Sequence, residues 1–383
     1  MSYLVIVGKN WRSDFEQREK DTLASYASLS MNTRGRLTTS WENDLGESNH
    51  RTCWQLDRDR IVYSNSFKRL EHKTQVYIYR LSDHFRTRLT HSFEVSQIAR
   101  ELCRILKLNE DLAEAIAMGH DLGHTPFGHA GERALDKKLK EQGQLGFCHN
   151  ENSVRILIET EEWSKDWITG KDRYGINPTF ELVEGVLKHN ESRVDLVKYN
   201  KLLPRKPATL EGQAVSMADR FSQRHTDLID SLKMGLIKQE EYESLIKKHF
   251  DQKVHIIKVY MRDVHDEFMK NPPKDIENLR SRDQDSIVFS KPMKKIDDEI
   301  RQYIKENVHD SDSVTSLDYR GERIVSGLFE SYQQNINLLP KDWRLKIGKW
   351  GPKEIIIADY ISGMTDRFAL QQFERLMGTR FDR

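Results

Sequence analysis

His91, the adjacent pair His120-Asp121 and Asp219 lie far apart on stretches that read as helix, so only a fold that packs distant helices together can unite them. A lone His, a His-Asp doublet and a distant Asp make a ligand set for one divalent cation. Imidazole and carboxylate together suit Mn, Fe, Zn or Ni, and fewer than six protein ligands leave room for water and a phosphate oxygen. Convergence of this kind predicts a compact all-α bundle. Around the doublet runs His120-Asp-Leu-Gly-His124-Thr-Pro-Phe-Gly-His129, three histidines and an aspartate within one turn-bounded segment. Histidines satisfied inside a core, or surface polar residues, are the bland reading; the density of titratable groups favours a working site.

Nine prolines and twenty glycines interrupt the chain, and helical periodicity dominates between them. Leu89, Phe93, Ile98, Leu102 and Ile105 predict an amphipathic helix over Leu89 to Leu106 with His91 in its first turn. Asp111 to Met118 is an Ala-rich helix with an acidic start, delivering His120-Asp121 at its C-terminal end. Thr125-Pro126 reads as the N-cap and first residue of a third helix reaching about Lys140. On it His129 and Glu132, three apart, share a face. Further helices are expected over Asn150 to Glu159, Pro178 to His189, Leu210 to Leu232 (carrying Asp219), Lys238 to Met269, Ile296 to Val308, Glu322 to Gln334 and from Pro352 onward. Asn271 to Asn278 reads as a break and Leu339 to Pro352 as a Pro/Trp-rich connection, while Leu4 to Val7 is the only pattern in the first fifty residues. Three regions follow: a partly irregular N-terminal segment 1–55, a catalytic core 56–235 and a helical C-terminal region 236–383 that packs on the core and completes the site.

Charge excludes less than it usually does. Lys+Arg 61 against Asp+Glu 60 leaves +1, so no global field points to nucleic acid or membrane, although a polyanionic substrate needs only a local basic patch. A mean hydropathy of −0.72 and short apolar runs argue against a membrane span. No basic region followed by an apolar stretch marks a secretory signal. Cys53, Cys103 and Cys148 show no metal or redox spacing, which fits a reducing cytoplasm. Cys148 reads as a neighbour of the site.

The string Arg86-Thr-Arg88-Leu-Thr-His91-Ser followed by Gly119 to Glu132 resembles the HD-domain deoxynucleoside triphosphate triphosphohydrolases, the dGTPases and dGTPase-like proteins. Phe67 to Val76, Phe147-Cys-His149-Asn150, Leu182 to His189 and Asp359-Tyr360-Ile-Ser-Gly-Met-Thr-Asp366-Arg367 extend the match from about Arg58 to Ala369. The resemblance implies an HD-domain helical bundle with additional C-terminal helices. It also implies a reaction in which water attacks the α-phosphorus of a dNTP (dGTP among them), releasing the deoxynucleoside and intact tripolyphosphate. A divalent metal (Mn, Mg, Fe, Ni or Zn) is the implied cofactor, held by His91, His120, Asp121 and Asp219.

Under the resemblance, His129 and Glu132 activate or position the attacking water; a plain i,i+3 surface pair is the alternative. Arg88, His124, His149 and Lys188 fall at positions that contact the triphosphate, with Lys188 equally readable as a surface lysine. Gln75 and Asp227 match the pair at the 3′-hydroxyl. Many relatives carry a Tyr four residues after the metal-binding Asp, packing on the deoxyribose; this chain has Gln223 at that place beside the sugar, which either relaxes the discrimination between deoxy and ribo substrates or moves the gate elsewhere, with Tyr360 as the candidate. The family also implies a homo-oligomer, often a hexamer, with a dNTP effector or single-stranded DNA as further partners. Two rivals stand beside this: an HD phosphohydrolase acting on a cyclic dinucleotide or an alarmone, and a catalytically weak nucleotide or single-strand DNA sensor. An intact His129–Glu132 pair speaks against the sensor.

Overall fold

The computed structural model describes residues 10–37, 50–75, 86–163, 170, 172–190, 207–250 and 255–378. The expectation for Leu4 to Val7 lies outside them. Among the described residues the chain is all-α, with no strand and four isolated β-bridges. Its helices are α1 (Trp11–Thr22), α2 (Cys53–Tyr63), α3 (Asn65–Arg69), α4 (Arg88–Leu106), α5 (Glu110–Gly119), α6 (Gly128–Glu141), α7 (His149–Arg155), α8 (Phe180–Lys188) and α9 (Leu210–Lys233). The C-terminal set is α10 (Gln239–His249), α11 (Ile256–Phe268), α12 (Ile276–Ser281), α13 (Lys291–Ile304), α14 (Asp312–Gln334), α15 (Lys341–Arg344), α16 (Lys353–Ser362) and α17 (Asp366–Met377).

The helices that carry the site begin where their caps say they should. Thr87 and Thr90 form a reciprocal capping box at the start of α4, and the Asn109 side chain accepts from the N–H groups of Asp111 and Leu112 at the start of α5. Thr209 caps α9 by accepting from Gly212 N–H at 3.1 Å. A lysine, Lys107, closes α4 in the left-handed conformation at φ 56°.

Four expectations are corrected. The face that α4 buries is Val95, Ile98, Ala99, Leu102, Cys103 and Leu106, whereas Phe93 and Ile105 are exposed. Small residues in the true stripe hid it from a reading that followed bulk. α6 starts at Gly128, not at Thr125-Pro126. Phe127 adopts a left-handed backbone at φ 61°, and the Thr125 hydroxyl donates to the Gly128 carbonyl instead of capping an N–H. The single helix expected over Lys238 to Met269 is two, because Phe250 turns extended after α10. Within the expected break, the Asp275 carboxylate caps the short α12 by accepting from Asn278 N–H.

Two apolar clusters position the site. The larger contains α2, α4, α5, α8 and α9, and it continues into α11 and α13 through Tyr260, Val264 and Ile300. The smaller packs α6 (Leu135, Leu139) against α14, α16 and α17. The loop joining α5 to α6 passes between them.

Candidate metal centre and proton-transfer site

Each imidazole in this loop region is aimed by a backbone carbonyl or a carboxylate. α5 ends at Gly119, and there the His120 Nδ1–H donates to the Ala117 carbonyl at 2.6 Å. A carbonyl only accepts, so the tautomer is set and the Nε2 lone pair points inward. That Nε2 is buried without a hydrogen-bond partner, 3.4 Å from Asp121 Oδ1 and 4.0 Å from Asp219 Oδ1. From α4, His91 Nε2 lies 3.0 Å from Asp219 Oδ1, while its Nδ1 faces the Ser222 hydroxyl at 3.4 Å. Ligand atoms of His91, His120 and Asp219 all lie within 4.8 Å of one another, and Asp121 joins His120 in an adjoining triad with His189. An orphaned imidazole nitrogen among buried carboxylates is the environment a divalent cation satisfies, so the donor set fits such an ion.

Electrostatics agree with that reading. Burial opposes ionisation of Asp121 and Asp219, yet the surrounding histidines, with Arg88 at Asp121, hold both carboxyls well below the usual carboxylate range. Burial pulls His91 down, but the bond to Asp219 outweighs it and leaves His91 raised.

A second constellation begins where the first ends. His124 Nε2 is 3.2 Å from Asp121 Oδ1, and its ring stacks on His149 at 3.9 Å with 15° between planes. Glu132 then takes both remaining histidines. The His149 backbone N–H reaches Oε1 at 2.9 Å, His149 Nδ1 lies 3.0 and 3.1 Å from the two oxygens, and His129 Nδ1 lies 3.3 Å from Oε2. Burial would raise the Glu132 carboxyl, but these bonds push it far below its ordinary value. Burial, with Arg88 and His149 nearby, holds His124 well below a normal histidine. The His129 side chain is 64% exposed, so this one ring stands open while its partner carboxylate is buried. Gly123 permits the arrangement: a Cβ there would stand 2.2 Å from the His149 carbonyl and the Ser153 nitrogen, so only glycine lets the loop pass over α7.

The other expected residues divide. Arg88 is buried, with Nη1 donating to Asp121 Oδ2 at 2.8 Å, and its Nη2 lies 3.2 Å from where a Gly128 Cβ would stand. The Gln75 carbonyl flanks the same glycine, and Gln75 Oε1 is buried without a partner. Lys188 is buried, not a surface lysine, and donates to Glu184 Oε1 at 2.7 Å. Gln223 turns its amide onto the metal-type cluster, with Nε2 3.0 Å from each Asp219 oxygen. Asp227 lies two turns further along α9 and pairs with His309 at 3.1 Å. Tyr360 is not brought to this cluster: its ring packs on Trp343 and Tyr332 and lines a separate cavity of about 260 Å³. Burial pushes the Cys148 thiol up to about 11, which suits a neighbour more than a ligand.

His189 was not foreseen. Its Nδ1–H donates to the Val186 carbonyl at 2.7 Å, the same device that aims His120, and its ring stands edge-on to His120 at 5.0 Å. Burial, with His120 and His149 adjacent, lowers it to about 4. The signal was a histidine at a helix C-terminus, like His120.

Comparison with known proteins gives the family. Residues 88–224 match the HD domain and residues 287–375 a phosphohydrolase-associated domain. The chain is 37% identical over 404 residues to a deoxyguanosinetriphosphate triphosphohydrolase-like protein of Rickettsia felis, covering 94% of this chain and 99% of that one. Proteins of the same description from Rickettsia bellii and Rickettsia prowazekii are each 36% identical, with the same coverage. With that identity over nearly the whole of both proteins, the chain belongs to the deoxyguanosinetriphosphate triphosphohydrolase-like family of HD-domain proteins.

Proposed function

We propose that the chain hydrolyses dNTPs, dGTP among them, to deoxynucleoside and tripolyphosphate. The observation that carries this reading is the buried Glu132 carboxylate gripping His129 and His149 beside the His91, His120 and Asp219 cluster. A pure binding module has no use for a proton-transfer pair next to a cation site. The relatives' name supports the substrate class.

His91, His120, Asp121 and Asp219 would hold a divalent metal, which when bound lowers the pKa of water and offsets charge on the phosphate. The rest falls to the chain. Glu132 accepts from His129 Nδ1–H, fixing the tautomer that leaves Nε2 free to take a proton from the attacking water. His149, oriented by the same carboxylate, and His124, stacked against it, line the path of the phosphates. Arg88 adds positive charge beside Asp121. Lys188 contributes less than its position suggested, because Glu184 already neutralises it. Gln75 and Asp227 take the sugar 3′-hydroxyl. Homo-oligomer formation, a dNTP effector and single-stranded DNA binding rest on the family resemblance and belong to the same reading.

The test is to incubate the full chain with each dNTP and NTP in the presence of Mn or Mg and to resolve the phosphate products. Tripolyphosphate from a dNTP supports the proposal. Monophosphate or pyrophosphate products, or turnover of a cyclic dinucleotide or an alarmone alone, reject it.

A further inference from the structure

The end of α13 is not an ordinary helix terminus. Lys305–His309 continues it as a π-helical turn, and that wider turn carries His309 across to α9, where its Nε2 lies 3.1 Å from Asp227 Oδ2. π turns of this kind occur often at functional sites. Because a carboxylate oxygen accepts, His309 Nε2 carries the hydrogen. Asp227 itself is buried, whereas the His309 side chain is 44% exposed. Among the described residues this is the one side-chain bond that Asp227 makes, and it occupies Oδ2 alone.

We infer that His309 is a positioning residue for sugar recognition: by pinning Oδ2 it fixes the carboxylate plane and aims Oδ1 at the 3′-hydroxyl of the bound nucleotide. The inference rests on the reading above, in which a dNTP lies with its sugar at Asp227. A carboxylate free to rotate spreads its acceptor over many orientations, and ordering it is then charged against substrate binding. Held from behind, it is already in place. A site that hydrogen-bonds a substrate hydroxyl rejects the analogue lacking it far more strongly than an apolar pocket can. His309 therefore sharpens the preference for a nucleotide that has a 3′-hydroxyl, without touching the nucleotide itself. The element that supplies it lies in the C-terminal helices, outside residues 88–224 that match the HD domain, so those helices would tune specificity.

The probe is a pair of substrates that differ only in the hydroxyl: dGTP and 2′,3′-dideoxy-GTP, each with the metal-loaded full chain. The readout is the ratio of their kcat/KM values in the wild type, His309→Ala, His309→Gln and Asp227→Asn. In His309→Ala the ratio should fall about ten- to a hundredfold, the scale of a hydrogen bond to a charged group, with the loss confined to dGTP. His309→Gln, whose amide nitrogen reaches nearly the same place, should restore it. Equal losses for both substrates would mean that His309 merely supports the fold, and they overturn the inference. An unchanged ratio in His309→Ala with a collapsed one in Asp227→Asn also overturns it, while leaving Asp227 at the sugar. If the wild type turns over dGTP but does not discriminate, or Asp227→Asn keeps the wild-type ratio, the placement of the sugar at Asp227 fails and the inference with it. Absence of dGTP turnover in the wild type rejects the functional reading itself.

Discussion

Asp366 accepts a hydrogen bond from the Phe127 N–H at 2.9 Å across 239 residues of sequence. Its other oxygen takes the Thr74 N–H at 3.0 Å and the Thr74 hydroxyl. Phe127 is the residue held left-handed at φ 61°, a conformation that costs a side-chain-bearing residue about 1–3 kcal/mol and persists only where the surroundings impose it. Next to it the buried Lys73 Nζ donates to the carbonyls of His124 and Ser362 at 2.5 and 2.8 Å. The C-terminal helices thus clamp the loop that carries His120, Asp121 and His124, and the clamp sets where α6 begins and hence where His129 and Glu132 stand.

Asp366→Ala should therefore damage catalysis without emptying the metal site. It strands the Phe127 N–H and the Thr74 donors, at about 1–3 kcal/mol for each buried group left unpaired. Urea denaturation should show the loss of stability, turnover should drop, and elemental analysis should find metal content near wild type. If kcat holds while stability falls, the clamp serves the fold alone.

The amide of Gln223 faces Asp219, so a role in orienting that carboxylate stands against a role at the sugar. Asp219→Ala should abolish metal binding outright. Gln223→Leu should weaken metal affinity about 10–100-fold, the usual consequence of removing a group that orients a ligand. A sugar gate at this position would show the opposite pattern: metal affinity intact and a changed deoxy/ribo ratio of kcat/KM.

What could be read in advance follows from where each residue's reason for being there lies. The convergence of His91, His120, Asp121 and Asp219 was legible because the helical pattern around each is strong and a shared cation would demand that these atoms meet. Glu132 was legible with His129 because three residues on a helix are neighbours. Its tighter hold on His149 was not, since that pairing bridges the turn between α6 and α7. Asp366 and Lys73 were opaque for the same reason on a larger scale: their partners are fixed by how the C-terminal helices dock. The start of α6 misled because Thr125-Pro126 is a sound local cap signal that a tertiary bond at Phe127 overrides. The packing of the Tyr360 ring on Trp343 and Tyr332 was likewise not legible, because it too depends on how the C-terminal helices dock.

Glu132 serves two imidazoles, so its loss should exceed that of either. His129→Ala should lower kcat about 10²–10⁴-fold with metal retained, the range for removing a proton-transfer group. Glu132→Ala should be worse, since it also releases His149. The His129→Ala/Glu132→Ala double variant should be little poorer than Glu132→Ala alone, because groups acting as a unit are not additive. Losses that multiply in full would separate the two residues and return His129 to the exposed helix surface.

The His309–Asp227 pair carries a pH signature whose sign can be stated. The hydrogen bond to Asp227 raises the His309 pKa above its ordinary 6.5, with partial burial working against it. A group whose folded pKa is raised binds its proton more tightly in the native state, so folding gains from protonation. That stabilisation is complete below the unfolded value near 6.5 and is lost as pH climbs through the higher folded value. His309→Gln keeps a donor to Oδ2 but cannot acquire the charge. The melting temperature of the wild type relative to His309→Gln should therefore be most favourable at pH 6 and decline steadily as pH rises above about 6.5. Measured by thermal denaturation at fixed ionic strength, a difference that stays flat or grows with pH would show that Asp227 does not hold a protonated His309.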